Sequence, residues 1–243
     1  MKLSISENNK ELGKAAAADV AARIREAIAL RGEARVVLST GASQFDMFEA
    51  LVTEDVDWSK VDMFHLDEYI ALPITHKASF RKYLQERFVD RVNLRSVNYV
   101  DTEGDINEAI AAISAKLLEK PIDIGLIGIG ENGHIAFNDP PADFGTEACY
   151  IVVDLDDNCK RQQVREGWFP TIDDVPKQAV SMTVHRIMMC RSVISVVPHQ
   201  VKANAIAKTL STPVCPEVPA TMLKMHPDWS LYLDRNSASL IEK

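Results

Sequence analysis

Apolar positions along this chain recur with two alternating periods. From Asn8 to Arg31, Leu12, Ala16, Val20, Ile24 and Ile28 fall at helical spacing, and Gly32 stands where that helix would stop. Ala34–Thr40 (ARVVLST) then reads as a strand, and Gly41-Ala42-Ser43 as a turn. Ser43 is placed to cap a helix whose apolar face carries Phe45, Phe48 and Leu51. Val61–Leu66 (VDMFHL) is a second strand, with Asp67-Glu68-Tyr69 at its end. A loop with Pro73 leads to a helix from Ser79 through Arg91.

The pattern continues with a short strand at Asn98–Val100. A helix follows over Asp105–Lys120, with Ile106, Ile110, Ile113 and Leu117 on one face. Ile122, Ile124, Leu126 and Ile127 then form a nearly continuous apolar run, as in a strand buried on both sides. Ala142–Asp174 shows no period and reads as irregular around Trp168-Phe169-Pro170. The remaining elements are a strand at Ala179–Thr183, a short helix near His185–Met189 and a strand at Val193–Val197. A helix at His199–Leu210 and a last strand at Trp229–Leu233 close the pattern. Strands alternating with helices imply an α/β fold, with a mostly parallel sheet covered by helices on both faces. Without a repeat or linker, residues 1–243 read as a single domain.

A parallel sheet would bring three polar strand ends to one edge, where open α/β sheets bind ligands: Ser39-Thr40-Gly41, Asp67-Glu68-Tyr69, and the loop from Asn132 to Asp139. The loop contains Gly128-Ile129-Gly130 followed by Gly133, which fits G-x-G-x-x-G. Pro140-Pro141 would break the helix that a dinucleotide site needs, which argues against nicotinamide.

Composition narrows the partners. With 27 Lys and Arg against 35 Asp and Glu, the net charge is −8, which disfavours nucleic acid and anionic membrane. The segment MKLSISENNKELGK has no apolar signal region, and no run is long enough to span a bilayer. Cys149, Cys159, Cys190 and Cys215 include no C-x-x-C pair and read as free thiols in a reducing, cytoplasmic setting. The six histidines lack ligand spacing, so no metal or cofactor is expected.

The candidate chemistry is proton transfer next to a bound anion. Thr40-Gly41-Ala42-Ser43 joins a strand to a helix start, a place that can hold phosphate, and Lys202 is a suitable cation. Arg161 and Arg165 are further candidates. Asp67 and Glu68 face opposite ways on an extended chain, so one of them can enter the site as a base. His134 is a second acid–base group, and Asp139 can orient it.

Leu66-Asp67-Glu68-Tyr69 with Leu72-Pro73, and Gly130-x-Asn132-Gly133-His134-Ile135-Ala136-Phe137-Asn138-Asp139-Pro140, resemble the glucosamine-6-phosphate deaminase/isomerase family. The resemblance extends over nearly the whole chain, through the Ser39-Thr40-Gly41 turn and Val175-Pro176-Lys177. It implies a modified doubly wound, Rossmann-like fold shared with 6-phosphogluconolactonases. It also implies conversion of an aldose 2-amino-6-phosphate and water to a ketose 6-phosphate and ammonia, with no metal or nucleotide. By this resemblance Asp67 moves the proton from C2 to C1, and His134 opens the ring with Asn132 and Asp139 in support. The Thr40-Gly41 turn and Lys202 match the phosphate contacts. Glucosamine 6-phosphate is the leading substrate. Its C4 epimer, a 6-phosphogluconolactone and a non-catalytic sensor role are the alternatives, and the resemblance leaves a homo-oligomer open. Asn132 and Asp139 depart from the Asp and Glu common in the family, and Lys160–Phe169 does not align cleanly with its phosphate-binding arginine.

Overall fold

The computed structural model describes residues 1–241. Ten strands form two sheets. β1 (Lys2–Ser6), β2 (Ala34–Leu38), β3 (Val61–His65), β5 (Ser96–Asn98), β6 (Ile124–Leu126), β9 (Ser192–Val197) and β10 (Trp229–Asp234) make a seven-stranded sheet, once β4 (Asp67–Tyr69), β7 (Tyr150–Asp154) and β8 (Gln178–Met182) are set apart. Its order is β1-β10-β9-β6-β2-β3-β5, and every neighbouring pair is parallel. The small sheet, β4-β8-β7, is antiparallel.

The seven helices among the described residues are α1 (Asn9–Arg31), α2 (Phe45–Leu51), α3 (Phe80–Arg87), α4 (Ile106–Leu118), α5 (Asp157–Arg165), α6 (Val184–Met188) and α7 (Ala203–Ser211). Helix α1 begins where the Asn8 side chain accepts the Glu11 amide, and ends at Gly32, whose φ of 79° favours glycine. Its buried face is largely alanine and glycine, so it packs tightly; a Cβ on Gly13 would stand 2.7 Å from the Asp46 backbone on α2.

Strands β2, β9 and β10 are buried along their whole length, which explains their unbroken apolar runs. Val36 and Leu38 pack with α1, α2 and α3, whereas Val37 faces the opposite core with α4, α6 and α7. The helices therefore lie on both faces, as the alternation predicts. A third apolar cluster, built on Tyr69, Phe137, Phe169 and Ala179, fastens the small sheet to the loop after β6.

Four elements depart from the sequence reading. β1 is a half-exposed edge strand whose mixed composition carries no burial signal. β7 and α5 lie inside the stretch expected to be irregular. Helix α5 escapes a hydrophobic scan because the residues it buries are Cys159, Gln162 and Gln163. The Asn98–Val100 strand sits two residues earlier, at Ser96–Asn98. No described helix is long and apolar enough to cross a membrane, and the four cysteines are free thiols.

Candidate active site

The carboxyl ends of β2, β3 and β6, together with α5 and the start of α7, line a cleft open to solvent, of about 660 Å³ with its mouth included. The β2 end supplies Ser39, Thr40, Gly41, Ala42 and Ser43, all on its wall. Gly41 has φ 102°, a conformation that favours glycine. The turn is held from three sides: Ser39 donates its amide to Leu126 O at 3.0 Å, Gln44 Nε2 donates to Val196 O at 3.1 Å, and Tyr83 OH donates to Gly41 O at 2.9 Å. Ser43 does not cap a helix as expected. It lies within a single 3-10 turn, Ala42–Gln44, and α2 begins at Phe45 without a side-chain cap.

The adjacent carboxylates on β4 have separate fates. Glu68 is fully buried and saturated. It accepts the amides of Tyr69, Phe80 and Arg81, the Ser79 hydroxyl, and Arg81 Nε at 3.3 Å. It thus anchors the first turn of α3 to the small sheet and has no lone pair left for a substrate. Asp67 points the other way, onto the cleft wall, and its Oδ1 is buried without a protein partner. Burial foremost, then the charge of Glu68, pushes its carboxyl well above the usual aspartate range. Of the two, Asp67 is the one able to exchange a proton with a ligand.

The loop after β6 positions the imidazole. Gly130 N–H donates to His134 O at 2.9 Å, and Gly133, at φ 88°, donates to Gly130 O at 3.0 Å. This tight bracket folds the His134 ring over Gly130, where a Cβ would come within 2.2 Å of the ring. His134 Nδ1 lies 3.0 Å from Asp139 Oδ1, at ion-pair distance but off the line of a good N–H···O bond. Asn132 braces both partners: its Oδ1 accepts the His134 amide at 3.0 Å, and its Nδ2 donates to Asp139 Oδ1 at 3.1 Å. Burial would raise the Asp139 carboxyl, but His134, Asn132 and Cys159 together hold it below the usual range.

Lys202 closes the cleft opposite. It ends the 3-10 turn that leads into α7, is 6% exposed, and makes no ion pair among the described residues. Burial lowers its ammonium pKa, partly offset by Glu166 and Glu131. The two arginines lie elsewhere. Arg161 is exposed beside Asp157 and Asn158, and Arg165 pairs with Glu131; neither lines the cleft. The α5 wall is instead Gln162, Gln163, Glu166 and the following Trp168, none of which the sequence reading named as a site residue. Asp156, which caps α5 through the Cys159 amide, was the signal available for that helix.

The family model of glucosamine-6-phosphate isomerases/6-phosphogluconolactonase matches residues 7–231. The chain belongs to this family. A glucosamine-6-phosphate deaminase from Streptococcus pneumoniae (strain Hungary19A-6) is 33% identical over 244 residues, spanning 100% of both chains. A solved structure described as a monomeric glucosamine-6-phosphate deaminase superposes with a TM-score of 0.89 at 28% identity, covering 99% of this chain and 100% of that one. The 6-phosphogluconolactonase of Trypanosoma brucei shares the fold, with a TM-score of 0.82 at 16% identity over 99% of this chain and 98% of that one.

Proposed function

We propose that this family member is an amino-sugar-phosphate deaminase that converts glucosamine 6-phosphate and water to fructose 6-phosphate and ammonia. One observation carries the reading: a buried carboxylate (Asp67) and a buried ammonium (Lys202), neither with a partner among the described residues, and a braced imidazole (His134) face one cleft. Lys202 and the amides of the Thr40–Ser43 turn take the 6-phosphate. His134 takes the anomeric hydroxyl proton and returns one to the ring oxygen, with Asp139 and Asn132 holding it in place. Asp67 then moves the proton from C2 to C1. The nitrogen left on C2 is an imine, which water hydrolyses to the ketone with loss of ammonia. In this reading residues 1–243 act as one domain in the cytoplasm, without metal or nucleotide.

Ammonia release from glucosamine 6-phosphate and galactosamine 6-phosphate, measured side by side, tests the reading and ranks the epimers. Unphosphorylated glucosamine is expected to be a very poor substrate. Acid release from a 6-phosphogluconolactone, with no ammonia from either amino sugar, would place the chain with the lactonases instead.

A further inference from the structure

One group in the site has no place in this reaction. Cys159, buried on the inner face of α5, brings its Sγ toward the braced pair. An imidazole nitrogen of His134, a carboxylate oxygen of Asp139 and Cys159 Sγ all lie within 4.8 Å of one another, and this is the one such His/Cys/carboxylate grouping among the described residues. Two of these groups have capacity to spare. The Asp139 side chain is 9% exposed; Asn132 donates to its Oδ1, and Oδ2 makes no well-formed hydrogen bond among the described residues. His134 Nδ1 is likewise buried without a well-aligned hydrogen bond. One nitrogen, one sulfur and one oxygen donor this close together make a donor set of the kind zinc takes. A thiol and an imidazole select zinc, cobalt or cadmium over magnesium or calcium.

We propose that His134, Asp139 and Cys159 form an inhibitory site for a soft divalent cation such as Zn²⁺, a regulatory property that rests on the deaminase reading of the same cleft. Binding replaces the thiol proton of Cys159 with the metal and releases that proton to solvent, with no change of oxidation state. The metal takes Nδ1 of His134 and Oδ2 of Asp139, so the imidazole can no longer work with its carboxylate in ring opening. Turnover stops while Asp67 and the phosphate contacts stay in place. α5 thereby couples the reaction to the free concentration of a metal that the reaction does not use.

The test uses the purified full chain. Co²⁺ titration should give a thiolate-to-cobalt charge-transfer band in the near ultraviolet that Cys159→Ser abolishes. Zn²⁺ should inhibit ammonia release reversibly, with EDTA restoring the rate and Mg²⁺ having no effect. In Cys159→Ser, the zinc concentration for half-inhibition, read against that variant's own zinc-free rate, should rise by about tenfold or more. Cadmium-113 NMR of the wild type gives a measurement that needs no variant: a shift typical of one sulfur with nitrogen and oxygen ligands is expected. A cobalt band unchanged in Cys159→Ser, or a cadmium shift typical of oxygen and nitrogen ligands alone, overturns the proposal. A protein that binds cobalt through Cys159 but never releases ammonia would instead refute the deaminase reading and leave the metal site standing.

Discussion

The two ends of the seven-stranded sheet treat buried charge in opposite ways. At the amino ends, Arg23 on α1 donates to Asp19, Ser192, Ser230 and Asp228. Arg31 and Arg191 both reach Asp123, whose other oxygen accepts the Arg35 amide at 2.8 Å. At the carboxyl ends lie all eight buried side-chain polar atoms that lack a protein partner among the described residues. They belong to Ser39, His65, Asp67, Tyr69, Thr102, His134 and Asp139, at the ends of β2 and β3 or in the segments that follow β3, β5 and β6. A buried polar group left unpaired costs about 1–3 kcal/mol. Of these residues, Ser39, Asp67 and His134 line the cleft, where a bound ligand can supply the missing partner.

The sharpest test of this contrast is Asp67→Asn. Ammonia release should fall by about 10²- to 10⁴-fold, with loss of C2-hydrogen exchange in deuterated solvent followed by NMR. Exchange at the wild-type rate would move the base elsewhere, and the saturated Glu68 is a poor second choice. Gly130→Ala should come next. Its Cβ drives the His134 ring from its seat, so turnover should fall by about 10²-fold, toward the residual rate of His134→Ala, which depends on unaided ring opening. Lys202→Ala should raise KM by about ten- to a hundredfold and change kcat much less, since it removes one charge-assisted hydrogen bond to phosphate.

The opposite end should respond in stability alone. Asp123→Asn is expected to keep kcat and KM within about twofold while denaturant unfolding shows a loss of about 1–3 kcal/mol, as Arg31 and Arg191 lose their shared partner. A catalytic defect there would break the comparison. The smallest effect concerns pH. Burial, and then Glu68, raise the Asp67 carboxyl in the folded state, so the native chain keeps a proton that the unfolded chain releases. Stability contributed by the neutral carboxyl is present below the ordinary aspartate value of 3.8 and is lost as pH rises through the raised folded value. Asp67→Asn should therefore melt above the wild type at neutral pH, with the gap closing as pH falls toward that ordinary value.

Legibility in the sequence followed the same divide between apolar and polar burial. Strands β2, β3, β6, β9 and β10 were readable because both of their faces are dry, and their apolar runs say so. β1 and α5 were not, because β1 is a half-exposed edge and α5 hides glutamines rather than leucines. In the site, Asp67, His134, Asp139 and Lys202 were named from strand ends and motif. The motif chose Asp67 over Glu68; the physical reason is α3, whose amides occupy Glu68 from twelve and thirteen residues downstream. Arg161 and Arg165 lie off the cleft wall for a related reason: charge alone does not reveal which face of an unrecognised helix carries it.

The step from β3 to β4 takes one residue, Leu66, and β4 is pinned to β8 by the pairs Asp67 with Ser181 and Glu68 with Val180. Side chains alternate along an extended chain, so a one-residue slip exchanges inside for outside. Losing or gaining a single residue here would present the glutamate to the cleft and strand the aspartate against the amides of α3. Substitution can be graded at this point in the chain, but length cannot. An insertion or deletion between His65 and Tyr69 would therefore upset the placing of Asp67 and the seating of α3 in one step.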